Sequence, residues 1–292
     1  MKVLVIIVTF NGIRWIRKCL SSVKEYDTFV IDNGSTDGTQ QLIQSEFPNV
    51  IFRQNGKNLG FGMANNIGMK YAITNGYDYV YLMNQDAWVL PDTINTLIST
   101  IQNHPDYGIL SPMQMQDGLD HFDTTFLGNT CSWKSTSTFL EDLYHGKRAD
   151  VYEVSFVMAA HWLVSAECIR KVGLFSPTFL QYGEDYNYLN RLLFHGMKVG
   201  IVPEAVAVHD RGERKVSKKM EQYHLYINAI RDLSAIYKTP NPLRQIMWST
   251  LKGIILYSVA DTVKYFFWIM RDYQKIKRNQ EESRNKGAFL SN

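Results

Sequence analysis

The sequence predicts an α/β protein with a mostly parallel central sheet and helices on both faces of that sheet. In its first 90 residues, short runs rich in β-branched residues alternate with segments whose apolar residues recur at helical spacing. Strand–helix–strand alternation of this kind is typical of parallel sheets. With 292 residues, 45% of them hydrophobic, the chain is long enough for one large domain and an appendage.

The predicted elements of the first half follow one another as strand–helix pairs. Val3–Val8 is a continuous apolar run, which indicates a parallel strand buried on both faces. The elements expected after it are a helix through Ile13, Ile16, Leu20 and Val23, a strand at Thr28–Ile31, a helix near Gly38–Phe47, a strand at Val50–Gln54, a helix near Phe61–Asn75 and a strand at Tyr79–Met83.

Polar clusters stand at the ends of three of these strands. They are Thr9–Asn11, Asp32–Asp37 and Asn84–Asp86. In open α/β sheets, ligands bind beyond the carboxyl ends of the strands. We therefore expect the three clusters to converge on one binding site.

The second half of the chain has a weaker pattern. Residues 113–150 show no sustained period and are predicted to form an active-site loop region, in which no elements are assigned. Regular structure is expected again from Val154–Val164 onward, with a helix from about Ala166, a helix from Glu184 to about His195, and strand segments at Val199–Val202 and Val206–His209.

The chain is expected to divide into a catalytic domain, residues 1–239, and a basic amphipathic helical tail, residues 240–292. The tail has nine Lys or Arg against four Asp or Glu, whereas the whole chain has a net charge of only +3. Apolar residues of the tail recur at steps of three or four, namely Trp248, Leu251, Ile255, Val259, Val263, Phe266 and Met270. This stripe predicts a pair of surface helices, and Gln274–Asn292 is polar enough to be a frayed end.

Two kinds of partner fit the apolar stripe of the tail. The longest uninterrupted apolar run there is shorter than the roughly 20 residues that a membrane-spanning helix needs. The stripe could lie on the cytoplasmic face of a membrane, attracted by the basic residues that follow Met270. It could instead pack on protein, either the catalytic domain or a second copy of the chain in a homo-oligomer.

The remaining composition points to the cytoplasm. Cys19, Cys131 and Cys168 are far apart in the sequence and form no Cys-x-x-Cys pair, which suggests neither a disulfide framework nor a structural zinc site. The N-terminus lacks the pattern of a signal peptide. We expect a cytoplasmic protein, which includes the inner face of the cell membrane, and no nucleic-acid partner.

Two acidic motifs stand where chemistry could occur. Asp86 ends an apolar strand beside Asn84, and its carboxylate is the kind of oxygen ligand that Mg²⁺ takes together with substrate phosphates. Glu184 and Asp185 open a helix in the other half of the chain. Each motif also has an ordinary explanation, since Asp86 could cap the following helix and the acidic pair could stabilise a helix N-terminus.

Five motifs follow one another along the chain, namely Val3–Asn11, Val30–Thr39, Asn58–Gly68, Asn84–Asp86 and Gly183–Asp185. Together they resemble the family 2 glycosyltransferases, in particular their rhamnosyltransferase-like branch. The resemblance covers residues 3 to about 212. It implies a GT-A fold with a Rossmann-like nucleotide-binding half. It also implies an enzyme that transfers a deoxyhexose such as rhamnose, or a hexose, with inversion from a nucleoside diphosphate to a glycan or lipid-linked glycan.

The resemblance assigns roles to individual residues. The residues implied to line the nucleotide and diphosphate pocket are Thr9, Asn11, Asp32, Asn33, Asn58, Gly60, Phe61, Asn66 and Asn84. The Asp32 carboxylate would accept from the imide N–H of thymine or uracil, which favours a dTDP- or UDP-linked donor. Asp86 and His209 would hold a divalent metal, Mg²⁺ or Mn²⁺, and Asp185 would be the general base. Arg211 and Arg214 are further candidates to counter the diphosphate.

The chain departs from the family pattern at Asn84, which replaces the first acid of the common Asp-x-Asp motif. Asp86 is then the only ionised ligand of that motif, and the metal is expected to arrive with the donor.

Other activities stay open from the sequence. A sugar nucleotidyltransferase shares the architecture and the metal, but it usually needs a basic Gly-rich triphosphate loop, for which Thr9–Trp15 offers only Gly12 and Arg14. A glycosidase would need one protonated carboxyl group and no nucleotide pocket. A degenerate transferase domain could also serve as a membrane-bound scaffold.

Overall fold

The first half of the chain alternates strands and helices, as the sequence predicts. The computed structural model describes residues 1–131, 138–211, 217–238 and 241–291. The bounds in the first half are β1 Val3–Thr9, α1 Ile16–Ser21, β2 Asp27–Asp32, α2 Thr39–Glu46, β3 Ile51–Gln54, α3 Phe61–Thr74 and β4 Tyr79–Asn84. Helix α1 is shorter than predicted. Ile13, which is 41% exposed, lies before its start, and Val23 lies after its end.

The middle of the chain contains more regular structure than the sequence indicates. Its bounds are β5 Ala87–Val89, α4 Thr93–Asn103, β6 Tyr107–Met115, α5 Thr124–Thr130, α6 Phe139–Tyr144, β7 Tyr152–Glu153, β8 His161–Ser165, α7 Ala166–Val172, α8 Glu184–Phe194 and β9 Lys198–His209. Helices α5 and α6 lie in the region for which no elements were expected. Strand β9 joins both predicted strand segments, with an irregular pairing after Val202.

The strands form one sheet in the order β3-β2-β1-β4-β8-β6-β9-β5, with β7 also paired to β9. Strands β1 to β4 are parallel to one another. Strand β8 runs antiparallel to both β4 and β6, whereas β6 and β9 are parallel. The α/β fold class is confirmed, with the parallel part of the sheet concentrated in its N-terminal half.

Both faces of the sheet are covered, which explains why the β1 sequence is apolar throughout. Successive side chains of a strand point to opposite faces. Leu4 and Ile6 belong to one buried cluster together with residues of α3 and α7, whereas Val5 and Ile7 belong to a second cluster with residues of α1 and α4. A strand buried on both faces has no solvent side on which polar residues would alternate.

The predicted helix pair of the tail is present. The C-terminal helices are α9 Lys218–Ser234, α10 Pro242–Leu256 and α11 Val259–Glu282. Helix α9 joins α10 and α11 to the rest of the protein: Gln222 Nε2 donates to the Ser258 carbonyl oxygen at 2.7 Å, and Tyr226 stacks on Tyr265 with 5.3 Å between ring centroids. In the part of the chain that the structure describes, no helix is long and apolar enough to cross a membrane.

The prediction of a frayed C-terminal end is wrong. Ala288 and Phe289 are buried, and the Leu174 amide donates to the Ala288 carbonyl oxygen at 2.9 Å. Gly173 makes this contact fit, because a Cβ at that position would overlap the main chain of Ala288. Two apolar residues in a polar segment suffice for docking, and the composition of the whole segment does not reveal it.

Candidate active site

A cleft of about 1300 Å³ opens at the carboxyl edge of the sheet. Residues at the ends of β4 and β9, in the first turn of α8 and on one side of α9 form its walls. Of the residues predicted for the site, those that line this cleft are Phe61, Asn84, Asp185, His209 and Arg211. The ends of β4 and β9 therefore meet at this cleft.

His209 lies between two buried carboxylates at one end of the cleft. Its Nε2 is 3.6 Å from Asp86 Oδ1, and its Nδ1 is 3.4 Å from Asp123 Oδ2. Arg211 joins the group, because its Nε is 2.8 Å from the same Asp123 oxygen. The Asn84 amide nitrogen is 3.4 Å from His209 Nε2. Five polar side chains from three separate parts of the chain thus meet at this end.

Strand pairing brings Asp86 and His209 together. The antiparallel pairing of β5 with β9 sets Ala87 opposite His209, so that Asp86 is adjacent to the imidazole. The Asp86 carbonyl oxygen also accepts from the Asp210 amide at 2.8 Å. The sheet, rather than a loop, therefore sets the separation of the two predicted metal ligands.

Charges compensate one another around His209. Burial disfavours a charged imidazole, but the Asp123 and Asp86 carboxylates outweigh it and raise the pKa of His209. Burial likewise opposes ionisation of Asp123, yet its hydrogen bond with His209 and the charge of Arg211 lower the pKa of that carboxyl group. His209, Asp123 and Arg211 can therefore stay charged although little solvent reaches them.

These side chains fit a divalent metal that is shared with a diphosphate. Asp86 offers a carboxylate oxygen and His209 a ring nitrogen, and Mg²⁺ commonly takes one or two carboxylates together with phosphate oxygens and waters. No group of three or more His, Cys, Asp or Glu side chains within the described ranges could hold a metal by itself. A metal at Asp86 and His209 would therefore need further ligands from phosphate oxygens or waters.

Glu184 and Asp185 begin α8 and line another wall of the same cleft. Gly183 precedes them with φ of 87°, a left-handed conformation that glycine adopts readily. Burial raises the pKa of both carboxyl groups, and the Asp185 charge adds to the rise at Glu184. Glu184 is 7% exposed, and its Oε2 has no hydrogen-bond partner within the described chain. Carboxyl groups with raised pKa values in a cleft are suited to proton transfer.

Asp32 organises the loop after β2. Its Oδ1 accepts from the amides of Gly34 and Ser35 at 3.0 and 2.9 Å, and from the Gln40 side chain at 3.0 Å. The Ser35 hydroxyl donates to Oδ2. Because the Asp32 side chain is fully buried, these donors occupy most of its acceptor positions. The implied contact with a base imide stays a prediction, and it requires one of these bonds to open.

Four of the residues implied to bind the nucleotide lie in a hydrogen-bonded loop region beside β1 and β2. The side-chain nitrogen Nδ2 of Asn33 donates to Asn58 Oδ1 at 3.4 Å and to the Gly60 carbonyl oxygen at 3.3 Å. Asn58 Oδ1 accepts from the Gly60 amide at 2.8 Å. Asn11 has φ of 50°, and its Oδ1 accepts from the Thr36 amide at 2.9 Å. These residues shape the loops, and their contact with a nucleoside stays a prediction.

Thr9 connects this loop region with the end of the cleft at His209. Its hydroxyl donates to Gln85 Oε1 at 2.7 Å, and the Phe10 amide donates to the same oxygen at 2.9 Å. Gln85 lies between Asn84 and Asp86, so both bonds hold the segment that carries the predicted metal ligand.

Asn66 lies away from the cleft. Its amide nitrogen donates to the Phe175 carbonyl oxygen at 2.9 Å, and its Oδ1 accepts from the Phe175 amide at 2.8 Å. Asn66 therefore uses both ends of its side chain to tie α3 to the segment after α7. Phe61 of the same helix does line the cleft, so the two predicted residues of α3 differ in placement.

Gly60→Ala is expected to lower the stability of the fold. Gly60 has φ of 79° and ψ of 173°, a region that costs other residues about 1–3 kcal/mol. An added Cβ would also overlap the Leu180 carbonyl oxygen, so the segment before α8 would have to move. We expect thermal denaturation to show a Tm lowered by at least about 2 °C.

The matched control for this prediction is Gly76→Ala. Gly76 has φ of 70°, but a Cβ there would have nothing within 4 Å. The Gly76→Ala variant therefore measures the cost of backbone strain alone, without a steric clash. Equal losses of Tm in the two variants would contradict the contact between Gly60 and Leu180.

Sequence reasoning missed Asp123 and Arg231. Asp123 falls in the region without a sustained period, yet it carries a signal, because Asp before a helical segment is a common N-cap. Its Oδ1 accepts from the Phe126 amide at 2.8 Å at the start of α5. Arg231 lies on α9 and lines the cleft, but no motif marks it. Arg214 lies outside the described residues.

The chain belongs to glycosyltransferase family 2: the pattern of "Glycosyl transferase family 2" matches residues 4–163. It is 26% identical over 219 residues to the N-acetylglucosaminyl-diphospho-decaprenol L-rhamnosyltransferase of Mycobacterium tuberculosis, across 66% of this chain and 69% of that protein. It is 24% identical over 215 residues to the dTDP-rhamnosyl transferase RfbF of Shigella flexneri, across 72% and 70%. The predicted family and its rhamnosyltransferase-like branch are confirmed.

Solved structures confirm the GT-A fold. TarS 1–349 of S. aureus superposes with a TM-score of 0.57 at 13% identity, across 99% of this chain and 89% of that chain. GalNAc-T7 with UDP, GalNAc and Mn²⁺ superposes with a TM-score of 0.60 at 15% identity, across 94% and 58%. The chain covers 45% of the longer TarS structure. At these identities the likeness concerns the fold alone.

Proposed function

We propose that this glycosyltransferase moves a deoxyhexose, rhamnose first, or a hexose from a dTDP- or UDP-linked donor to a hydroxyl of a glycan or lipid-linked glycan. One observation carries the proposal: His209, beside Asp86, and Asp185 line the same cleft. Sugar transfer needs a group that neutralises the departing diphosphate and a group that takes the acceptor proton. The names of both curated relatives support rhamnose as the sugar.

The donor would bind between the loop region around Asn33 and the end of the cleft at His209. Asp86 and His209 would hold Mg²⁺ or Mn²⁺, whose charge neutralises the diphosphate as it leaves. Arg211 lines the cleft beside them and would direct N–H donors to a phosphate oxygen. The bonds from Thr9 and Phe10 to Gln85 would keep the nucleoside and diphosphate positions at a constant separation.

Asp185 would take the proton of the acceptor hydroxyl while that oxygen attacks the anomeric carbon of the donor sugar. The bond to the diphosphate oxygen breaks on the opposite face, so the configuration at the carbon inverts. Burial raises the pKa of Asp185, which makes it a stronger base than an exposed aspartate. Burial and the Asp185 charge raise the pKa of Glu184, which favours its protonated form as a hydrogen-bond donor to a sugar hydroxyl.

A donor screen tests this function. The purified protein would be incubated with Mg²⁺ or Mn²⁺ and with dTDP-rhamnose, UDP-glucose or UDP-N-acetylglucosamine, and release of the nucleoside diphosphate would be measured. We expect release from a pyrimidine donor, and loss of that release with EDTA. GDP-mannose is the control, because guanine does not present the same imide edge as thymine or uracil. Absence of both binding and turnover for every pyrimidine donor would contradict the proposal.

The outward face of α10 and α11 is proposed to lie on a membrane surface. All residues of the stripe predicted in the tail are exposed, from 38% at Phe266 to 66% at Ile255. The stripe therefore does not pack on the catalytic domain, which was one of the alternatives. An exposed apolar face of this extent marks an interaction surface. Lys252, Lys264 and Arg271 lie on the same two helices and would attract anionic lipids.

Vesicle sedimentation tests this contact. We expect the full chain to sediment with phosphatidylglycerol-containing vesicles at low salt and less at high salt, because screening weakens attraction between exposed charges. Replacing Trp248 and Ile255 together by glutamate should lower vesicle binding by at least about tenfold. Leu140→Glu, at a residue that is 48% exposed on α6, is the control and should bind like wild type.

Two results would contradict the membrane contact. One is absence of vesicle binding by the wild-type chain at low salt. The other is a stable dimer in solution that the Trp248 and Ile255 substitutions dissociate, which would assign the face to a second copy of the chain.

A further inference from the structure

Arg231 is a cationic side chain in the cleft to which the proposed transfer gives no task. Arg211 and Arg231 are the arginines that line the cleft within the described residues. The charge of Arg211 is engaged by Asp123 at 2.8 Å. Arg231 has a weaker ion pair, with 3.6 Å between its Nε and Asp232 Oδ1, and its side chain is 31% exposed. Arg231 is therefore able to take an anionic ligand from the cleft.

The guanidinium of Arg231 lies over the aromatic ring of Tyr186, which packs on a second ring. Its Cζ is 4.6 Å from the ring centroid of Tyr186. Tyr186 in turn stacks on Phe156, with 3.7 Å between centroids and 9° between the ring planes. All three side chains line the cleft. A guanidinium that lies against an aromatic ring still has N–H groups available for bidentate bonds to a phosphate.

The position of Arg231 assigns its ligand to the acceptor rather than to the donor. Tyr186, over whose ring Arg231 lies, directly follows Asp185, the proposed base. The charges of Arg231 and of Arg211 both partly offset the effect of burial on the Asp185 pKa. The donor diphosphate is expected at His209, where Arg211 already supplies a guanidinium. An anion bound by Arg231 would therefore be close to the acceptor hydroxyl that Asp185 deprotonates.

Helix α9 places Arg231 beside the tail. One side of this helix lines the cleft through residues that include Met220, Ile227 and Arg231. Other residues of α9 contact the tail, as in the bond from Gln222 to Thr262 Oγ1 at 2.7 Å. A phosphate at Arg231 would thus be bound by the helix that carries α10 and α11 with their exposed apolar face.

We propose that Arg231, which lies over the ring of Tyr186, binds a phosphate group of the acceptor next to the sugar that receives the transfer. This inference rests on the proposed function. Two kinds of acceptor would present such a sugar phosphate ester. One is a lipid-linked diphosphate, and the other is a phosphodiester within a glycan. Arg231 is in this account a positioning and specificity residue, distinct from the base and from the metal end.

The test is calorimetric titration of glucose 1-phosphate into the full chain saturated with UDP and Mg²⁺, which block the donor site. We expect binding of glucose 1-phosphate and no binding of glucose at the same concentration. Arg231→Gln should weaken this binding by at least about tenfold, and Arg231→Lys should restore part of it, because lysine keeps the charge but not the planar fork. Arg170→Gln removes an exposed arginine on α7 and should leave the affinity unchanged.

Unchanged affinity for glucose 1-phosphate in Arg231→Gln, with wild-type Tm and UDP binding, would overturn the inference. Failure of the wild-type chain to bind UDP or dTDP with Mg²⁺ would overturn the proposed function instead, so the two failures are distinguishable. Competition identifies the source of the phosphate. Displacement by geranyl diphosphate supports a lipid-linked acceptor, displacement only by glycerophosphoglycerol supports a phosphodiester polymer, and displacement by neither overturns the inference.

Discussion

Asp185→Asn is expected to lower turnover by about 10²–10⁴ while donor affinity stays within a few-fold of wild type. The amide keeps the shape of the side chain but cannot take a proton from the acceptor hydroxyl. Steady-state kinetics with a saturating acceptor, together with calorimetric titration of the nucleotide, separates the two quantities.

Glu184→Gln is the matched control for the Asp185 substitution. Because the raised pKa of Glu184 favours its protonated form, a neutral amide reproduces its charge and most of its shape. We expect a much smaller loss of turnover in this variant. Normal turnover in Asp185→Asn combined with an inactive Glu184→Gln would move the base to Glu184.

The activity of the enzyme should depend on the protonation state of Asp185. A protonated carboxyl group cannot act as a base, so activity should fall as pH decreases through the pKa of Asp185. Burial raises that pKa above the ordinary value of 3.8, so the acid limb of the profile should lie at correspondingly higher pH. In the Asp185→Asn variant, the pH profile of the residual activity should lack this acid limb.

Asp86→Ala is expected to abolish transfer and metal-dependent nucleotide binding together. Asp86 supplies the carboxylate of the proposed metal pair, and His209, 3.6 Å away, would be left as a single ligand. Nucleotide titration with and without Mg²⁺ measures the effect. Undiminished metal-dependent affinity in the variant would contradict the assignment.

Two further variants keep the Asp86 result interpretable. Asp86→Asn retains the size of the side chain and should also lose the metal response, which would show that charge rather than packing is responsible. Asp120→Ala removes an exposed carboxylate and should behave like wild type. A Tm of Asp86→Asn close to wild type would exclude unfolding as the cause of lost binding.

The local pattern of the sequence was sufficient for the N-terminal half of the fold. Strand β1 is apolar because both of its faces are buried, and its end at Thr9 coincides with the predicted polar cluster. The polar clusters after β1, β2 and β4 were expected to converge, and hydrogen bonds from the Thr9 hydroxyl to Gln85 and from the Asn11 amide to the Ser35 hydroxyl do join them. Parallel strands that end at one sheet edge make such convergence predictable.

The rest of the site depends on contacts that local patterns do not encode. Asp123 lies in a region without periodicity, and only tertiary packing brings it to His209. Arg231 acquires its surroundings from Tyr186 and Phe156, which are distant from it in sequence. Asn66 was expected at the diphosphate because its motif resembles the family, whereas its amide binds the main chain of Phe175.

In the tail, too, local spacing predicted the helices but not what they contact. Helical spacing predicted α10 and α11, and the stripe is exposed as a surface helix pair requires. The spacing could not distinguish a solvent-facing stripe from one that packs on the catalytic domain, because both produce the same pattern. The docked segment around Phe289 escaped prediction because it depends on the absence of a side chain at Gly173.

Calorimetric titration of dTDP and UDP into the wild-type protein, with Mg²⁺ and with EDTA, measures whether donor binding depends on a metal. We expect binding with the metal that weakens by at least about tenfold when the metal is removed. Equal affinity under the two conditions would contradict a metal held by Asp86 and His209, and would instead assign the diphosphate to Arg211 and a protonated His209.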